Sequence, residues 1–501
     1  MTYTNNFPWE RGRMKLNLAR AAGRAGWGFS LLVTLGLPAC DRALEVTDPD
    51  VIDIENTTSP EAAEGLRLGA LGRLSGMTSG GESTFHFPGL MADEWRSGDT
   101  FVQRDETDKR AVQENVTVIS AMWYDVNRTR TAAKQAIKAL TDFPPVAAAA
   151  LPLNQSNIGQ MFWVRGFAET VIAENYCNGT PLSDFQIDGS VIAYGTPESN
   201  AQVYARAVAS FDSAAAAAGA NARGDTVRIL SRIGRARVLM NLGRFADAAT
   251  VLGGTPAIPS DFRFRIFHQE AVSGTATNQI WALNNSGRRY VVADRDGGVG
   301  LNFASAGDPR IPVCRGNDTV CRGFGVTQAV SFDNNFGASP RIGGPFYVQL
   351  IWPTRDDDVA IVNGVEARLL EAEAQLRSGN AAWLATLNAL RASFQTLKEP
   401  TNTTTATATL AQLVDPGTPA AREDLVFRER AFWLFGRGHR LADLRRLVRP
   451  VAQGGYGRAV DTVFPNGTYF KGGNFGSDVN IIVPQNERNN PNFSGCTDRN
   501  A

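Results

Sequence analysis

The chain has 501 residues, 50 Lys and Arg against 50 Asp and Glu, and 43% apolar side chains. Balanced charge argues against a nucleic-acid partner, which would need a basic stripe, and the apolar content is that of a globular protein. Beyond the N-terminal segment no run approaches 18 apolar residues, so nothing further along the chain is expected to span a membrane.

Residues 1–39 read as an export signal. Arg11, Arg13, Lys15, Arg20 and Arg24 form a basic region opposed only by Glu10, and residues 27–37 give an apolar stretch of signal-peptide length. A membrane-spanning helix needs ~20 apolar residues, more than this stretch supplies. Met14-Lys15 offers a second start with a more ordinary signal length. Leu37-Pro38-Ala39-Cys40 resembles the cleavage and lipidation box of bacterial lipoproteins, with Pro38 unusual inside it. Cys40 is therefore the expected lipid attachment point, tethering residues 40–501 to a membrane. Loss of residues 1–39 leaves 45 basic and 49 acidic residues.

Two helical territories, about 59–253 and about 363–450, flank a loop-rich insertion at about 254–362. In the first, 112–140 and 158–176 are long runs without proline. Thr196-Pro197-Glu198 is expected to open a further helix that continues through the alanines at 214–218. Residues 225–252 give the clearest hairpin. Ile229, Ile233, Ala236 and Met240 share one face, Leu242-Gly243-Arg244 breaks the run, and Phe245, Ala248, Ala249 and Leu252 form a return stripe. The Gly-x-aromatic-x-x-Ala turn is similar to that of a tetratricopeptide repeat, and one such hairpin needs others to cover its apolar face.

The insertion is rich in Gly, Pro, Asn and Asp, and a long irregular stretch inside a compact domain points to function. Segments 279–283 and 289–293 are β-prone and are expected to form small hairpins. Once Cys40 carries lipid, four cysteines remain in a compartment that permits disulfides. Cys314 and Cys321 bracket a short loop, which predicts a bridge. A zinc site would need further Cys or His ligands that are not nearby. Cys177 and Cys496 are left over, and their pairing stays open. Asp356-Asp357-Asp358 could offer oxygen ligands to a cation, but without EF-hand spacing it reads as a solvated turn.

Residues 364–394 form a second hairpin. Ala367, Leu370, Ala374 and Arg377 share a face, Arg377-Ser378-Gly379-Asn380 makes the turn, and Trp383, Leu384, Leu387 and Leu390 lie on the return helix. The polar segment 401–409 reads as an exposed connector. Glu429, His439, Arg440, Asp443 and Arg446 look catalytic in composition. Arg440 with Asp443, and Asp443 with Arg446, are spaced i, i+3 and can pair on one helix surface, so the cluster reads either as a carboxylate site with an orienting histidine or as an ion-pair latch between repeat helices. With three histidines and no Gly-x-Ser-x-Gly elbow, no catalytic residue, metal ligand or cofactor is assigned. Aromatic side chains are the better lead, because flat sugar faces or peptide side chains stack on exposed Trp and Tyr. Trp95, in the polar setting Asp93-Glu94-Trp95-Arg96-Ser97-Gly98-Asp99, reads as loop-borne, and Trp281, Tyr290, Tyr347 and Trp352 lie in the insertion. These five are the candidate ligand contacts, while Trp163, Trp383 and Trp433 are assigned to the core.

Several blocks in order resemble the SusD/RagB family of outer-membrane nutrient-uptake lipoproteins. Residues 364–374, Gly-Val-Glu-Ala-Arg-Leu-Leu-Glu-Ala-Glu-Ala, are similar to that family's EAxLxxAEA helix, and Leu387-Asn388-Ala389-Leu390-Arg391 to its return helix. Residues 428–446 match its ERxxELxxEGxRxxDLxR block, with Phe435 and Arg437 where glutamate is more usual. Residues 481–492 resemble its Pro-rich NPN ending, and Trp123-Tyr124-Asp125-Val126-Asn127 loosely echoes an early helix. The resemblance implies a mainly α fold of about four tetratricopeptide-like hairpins with a loop-rich, minor-β insertion packed on them. It also implies a non-enzymatic lipoprotein facing the cell exterior, which binds an oligosaccharide or peptide for a SusC-like TonB-dependent transporter. The alternatives are a lipid-anchored scaffold for envelope assembly and a secreted glycan-processing enzyme.

Overall fold

The computed structural model describes residues 58–185, 192–271, 276–287, 289–315, 319–323 and 346–501. The expected signal segment and Cys40 lie outside the described residues. Ten longer helices carry the architecture: α1 Pro60–Met77, α2 Thr117–Asp142, α3 Leu151–Asn175, α4 Asn200–Ala217, α5 Ala222–Asn241, α6 Phe245–Leu252, α7 Gly364–Arg377, α8 Ala382–Ala392, α9 Pro419–Trp433 and α10 Arg440–Val448. Side-chain caps start several of them. The Ser59 hydroxyl accepts from the Ala62 N–H at α1, Asn221 from Gly224 at α5, Asn363 from Glu366 at α7 and Thr418 from Ala421 at α9. Pro60 and Pro419 occupy first-turn positions, where the missing N–H costs nothing.

The first eight helices pair as α1 with α2, α3 with α4, α5 with α6, and α7 with α8. Each pair stacks on the next, through α2 on α3, α4 on α5 and α6 on α7, and the leading helices α1, α3, α5 and α7 also touch in succession. These are the four expected hairpins of a helical-repeat scaffold. Only the last two have tight turns, at Gly243 (φ 71°) and Gly379 (φ 72°). Residues 78–116 separate α1 from α2, and residues 176–199 separate α3 from α4. The expected helix start at Thr196-Pro197-Glu198 is corrected. Pro197–Glu198 pairs as a strand with Thr180–Pro181, and α4 begins only after Ser199, which forms a capping box with Gln202.

Strands are short, and those of three residues or more among the described residues are β1 Trp95–Ser97, β2 Arg263–Ile266, β3 Tyr290–Val292, β4 Val313–Arg315, β5 Tyr347–Gln349 and β6 Val359–Asn363. All make antiparallel two-stranded ribbons, β1 with β3, β2 with β6 and β4 with β5. Within the insertion β2 pairs with β6 and β4 with β5 across long separations, whereas β3, in the β-prone segment 289–293, pairs outside it and not in a local hairpin. Tyr290 pairs opposite Ser97, on a segment between α1 and α2. Residues 279–283 are not extended either: Gln279–Trp281 is a helical turn capped by Asn278 and continued by a π turn over Ala282–Ser286. Disulfides join Cys314 to Cys321 and Cys177 to Cys496, the second across 319 positions. One large core runs through the repeats, and a second lies among Leu369, Trp383, Leu387, Phe394 and Trp433. Among the described residues no helix is long and apolar enough to cross a membrane.

Candidate functional site

Burial removes three of the five aromatic candidates from the surface. Trp95, Tyr290 and Trp352 are each 0% exposed. The Trp95 indole N–H donates to the Phe85 carbonyl at 3.2 Å, and its ring lies 4.8 Å from that of Phe435. Gly436, at φ 68°, passes so close to Trp95 and Trp352 that a Cβ there would sit 3.3–3.4 Å from both rings. Tyr290 donates its hydroxyl proton to Glu82 at 2.6 Å, and the Arg437 guanidinium covers Trp352 at 4.9 Å. The polar neighbours that made Trp95 look loop-borne are themselves buried and bonded: Asp93 accepts from Arg440 at 2.6 and 2.9 Å, and Glu94 from the Gly436 N–H at 2.8 Å. Trp281 is half-buried beneath Arg355 at 4.8 Å, and Tyr347 is half-buried in β5.

The catalytic-looking cluster separates into distinct ion pairs. Asp443 accepts from Arg430 at 2.9 Å and from Arg446 at 2.7 Å, and Arg446 also holds Glu373 of α7. Arg440 turns away from Asp443 to Asp93, which corrects the expected i, i+3 pair. Glu429 takes Arg310 and Arg391, each at 2.7 Å. His439 is buried 3.4 Å from Arg237, and burial among the guanidiniums of Arg237, Arg430, Arg437 and Arg446 holds it well below its ordinary pKa. These groups latch helices together, and no carboxylate among them is left facing a cleft. Among the described residues no cluster of three or more His, Cys, Asp or Glu side chains is arranged to hold a metal ion.

A concavity of about 610 Å³ lies elsewhere, along α2. That size suits a bound oligosaccharide or peptide segment. Ser120, Trp123, Tyr124, Asn127, Arg128, Thr131 and Gln135 recur at helical spacing and so share one side of α2. Arg73 from α1 forms part of the rim. The ribbon Asp184–Phe185 with Ile192–Ala193 supplies Asp184 and Ile192, and the turn Gln485–Asn489 supplies Asn486 and Glu487. Trp123 is 6% exposed, and its ring meets Tyr176 edge-on at 5.0 Å while its indole N–H donates to Glu487 at 2.9 Å. One turn of chain near the C-terminus is thereby fixed against α2.

Tyr124 is different. It is 58% exposed, with the Arg128 guanidinium 4.6 Å from its ring centre. Asp184 is engaged by Arg130 at 3.1 Å and Lys134 at 3.2 Å. Asp125 sits behind the rim, its pKa raised by burial and pulled back by Arg128 and Arg73. The groove thus combines one open aromatic ring, several neutral amides and hydroxyls, and carboxylates already in use. A smaller concavity of about 460 Å³ lies near Arg96, Asp296 and Phe470, where Arg96 stacks 4.3 Å above the Phe470 ring. Reading the sequence for sites missed Tyr124, because the block 123–127 registered as a helix pattern. The available signal was its i+4 partner Arg128 on the polar side of an amphipathic helix.

No family model matches the chain, and no curated protein does. Solved structures do match it. A SusD homolog from Bacteroides thetaiotaomicron VPI-5482 aligns at a TM-score of 0.59 with 12% identity, covering 89% of this chain and 99% of that one. A SusD superfamily protein from the same strain aligns at 0.58 with 14% identity, covering 88% and 100%. A protein described as a laminarin binding SusD-like protein aligns at 0.57 with 13% identity, covering 88% and 99%. At these identities the likeness is one of fold, and the fold is SusD-like.

Proposed function

From a SusD-like fold as premise, we propose that this chain is a glycan-capturing outer-membrane lipoprotein, tethered through Cys40, which delivers its ligand to a SusC-like TonB-dependent transporter. One observation carries the reading. Tyr124 offers an open ring above a groove of amides and hydroxyls, the chemistry that sugars need for stacking and orientation. One structural neighbour is described as laminarin binding, which agrees with that chemistry. Capture rather than turnover fits the carboxylates. Glycoside hydrolysis needs a free acid and a free base or nucleophile, whereas Asp184 is ion-paired and Glu487 is bonded by Trp123. A tether and a docked barrel would raise the effective concentration of ligand at the pore, so modest affinity suffices.

Calorimetric titration of the mature protein against a panel of oligosaccharides tests the capture step. Micromolar to millimolar binding is expected, weakened about tenfold by Tyr124→Ala through loss of the stacking ring. Steady turnover of any panel member would instead make the protein an enzyme. Extraction of the native lipoprotein from outer membranes in mild detergent tests the delivery step. Recovery without a large β-barrel partner would overturn the transporter assignment and favour an envelope scaffold.

A further inference from the structure

The charge accounting of the α2 groove is uneven. Its two carboxylates are occupied, Asp184 by Arg130 and Lys134, and Glu487 by the Trp123 indole at 2.9 Å and the Asn490 amide at 3.3 Å. Its two rim guanidiniums are not. Arg73 and Arg128 line the groove and form no ion pair or hydrogen bond among the described residues. Asp125, on the same turn as Arg128, is near enough to feel both cations but bonds neither. Arg128 is not a loose surface side chain, because stacking on Tyr124 at 4.6 Å holds it beside the one open aromatic ring. A fixed guanidinium with its donors free matches a carboxylate in geometry as well as charge.

We propose that the α2 groove selects an acidic oligosaccharide of uronate type, with a sugar ring against Tyr124 and a ring carboxylate held by Arg73 and Arg128. The idea rests on the capture reading and narrows it to a ligand class. A neutral glycan would leave both cations without a hydrogen-bonded counter-charge, whereas a uronate chain supplies one and keeps the hydroxyls that Asn127, Thr131 and Gln135 can meet.

Trigalacturonate and its fully methyl-esterified counterpart provide the test, since they share ring, linkage and length and differ in charge. Titration of the mature chain at low ionic strength should show at least tenfold tighter binding of the free acid, a preference that shrinks as salt is raised to 0.5 M. Arg73→Gln and Arg128→Gln should each cut the acid-to-ester affinity ratio severalfold, and the double substitution should bring it near one. Unchanged thermal melting of the variants would confirm that the fold survives. Equal affinity for acid and ester, or a ratio indifferent to both arginines, would overturn the acidic selectivity. If Tyr124→Ala still weakened both ligands in that case, sugar capture by the groove would stand. Binding of laminarin alone, with neither galacturonide bound, would also sink the acidic class while leaving capture intact. Failure of all three glycans to bind would remove the capture reading together with this one.

Discussion

Glu94 is a carboxyl group in a place that cannot keep it charged. It is 1% exposed; one oxygen accepts from the Gly436 N–H at 2.8 Å and the other has no hydrogen-bond partner among the described residues. Burial raises its pKa to about 8, against the opposing pull of that N–H and of Arg440. A folded-state pKa above the unfolded one means that the folded protein binds the proton more tightly. Its contribution is complete below the unfolded value near pH ~4.3 and is lost as pH rises through about 8. Glu94→Gln keeps the shape and removes the titration. Relative to wild type the variant should gain stability as pH rises from 5 to 8, by about 1 kcal/mol per pH unit, and level off above that. Urea unfolding of both proteins at pH 5, 6.5 and 8 would measure the difference, and a pH-independent gap would reject the assignment. Trp95, the next residue, shows why site residues resisted sequence reading. Its polar neighbours suggested exposure, but their partners Gly436 and Arg440 lie more than 340 positions away in the chain. Tyr124 escaped for the opposite reason, because its helix matched a structural pattern.

At the scale of elements, α7, α9 and α10 are joined by charge. Glu373 of α7, 0% exposed, accepts from Arg446 at 3.0 Å and from the Tyr456 hydroxyl at 2.8 Å, with Arg430 3.7 Å away. Asp443 completes the network by bridging Arg430 and Arg446, and those two cations hold its carboxyl below the usual range despite burial. Removing one carboxylate leaves guanidiniums buried with too little counter-charge. Glu373→Ala should therefore cost about 3–5 kcal/mol. Arg244→Ala, at the exposed pair with Asp247, should cost less than about 1 kcal/mol. Chemical denaturation of the two variants side by side would show whether burial sets the difference, and equal losses would refute it. The elements themselves were partly legible. The pairs α5 with α6 and α7 with α8 could be read because apolar stripes flank a short glycine turn. The pairs α1 with α2 and α3 with α4 could not, because 78–116 and 176–199 interrupt them. Ribbon pairing such as β1 with β3 depends on long-range register, for which local alternation carries no information.

Across the whole molecule, the C-terminal tail closes the structure back onto α3. Tyr176 bridges Ile481 in parallel, the Thr497 N–H donates to the Asn178 carbonyl at 2.9 Å, and Cys177 is bonded to Cys496. Gly179, at φ 90°, permits this approach, since a Cβ there would lie 2.6 Å from the Thr497 nitrogen. The disulfide closes a loop across 319 positions, so it restrains the unfolded chain strongly. Cys496→Ser should cost about 2–5 kcal/mol, and reductant should lower the melting temperature of the wild type in the same way. The same tail carries Glu487 into the groove wall, which raises the question of whether the bond also maintains the site. Glu487 has its own anchor in the Trp123 indole, and Ile481, Val483 and Pro484 before it are buried. The wall is thus seated by packing upstream of the disulfide. Well below the melting transition, glycan affinity of Cys496→Ser should remain within about twofold of wild type while thermal stability falls. Loss of affinity in step with stability would show instead that the groove wall depends on the covalent tie.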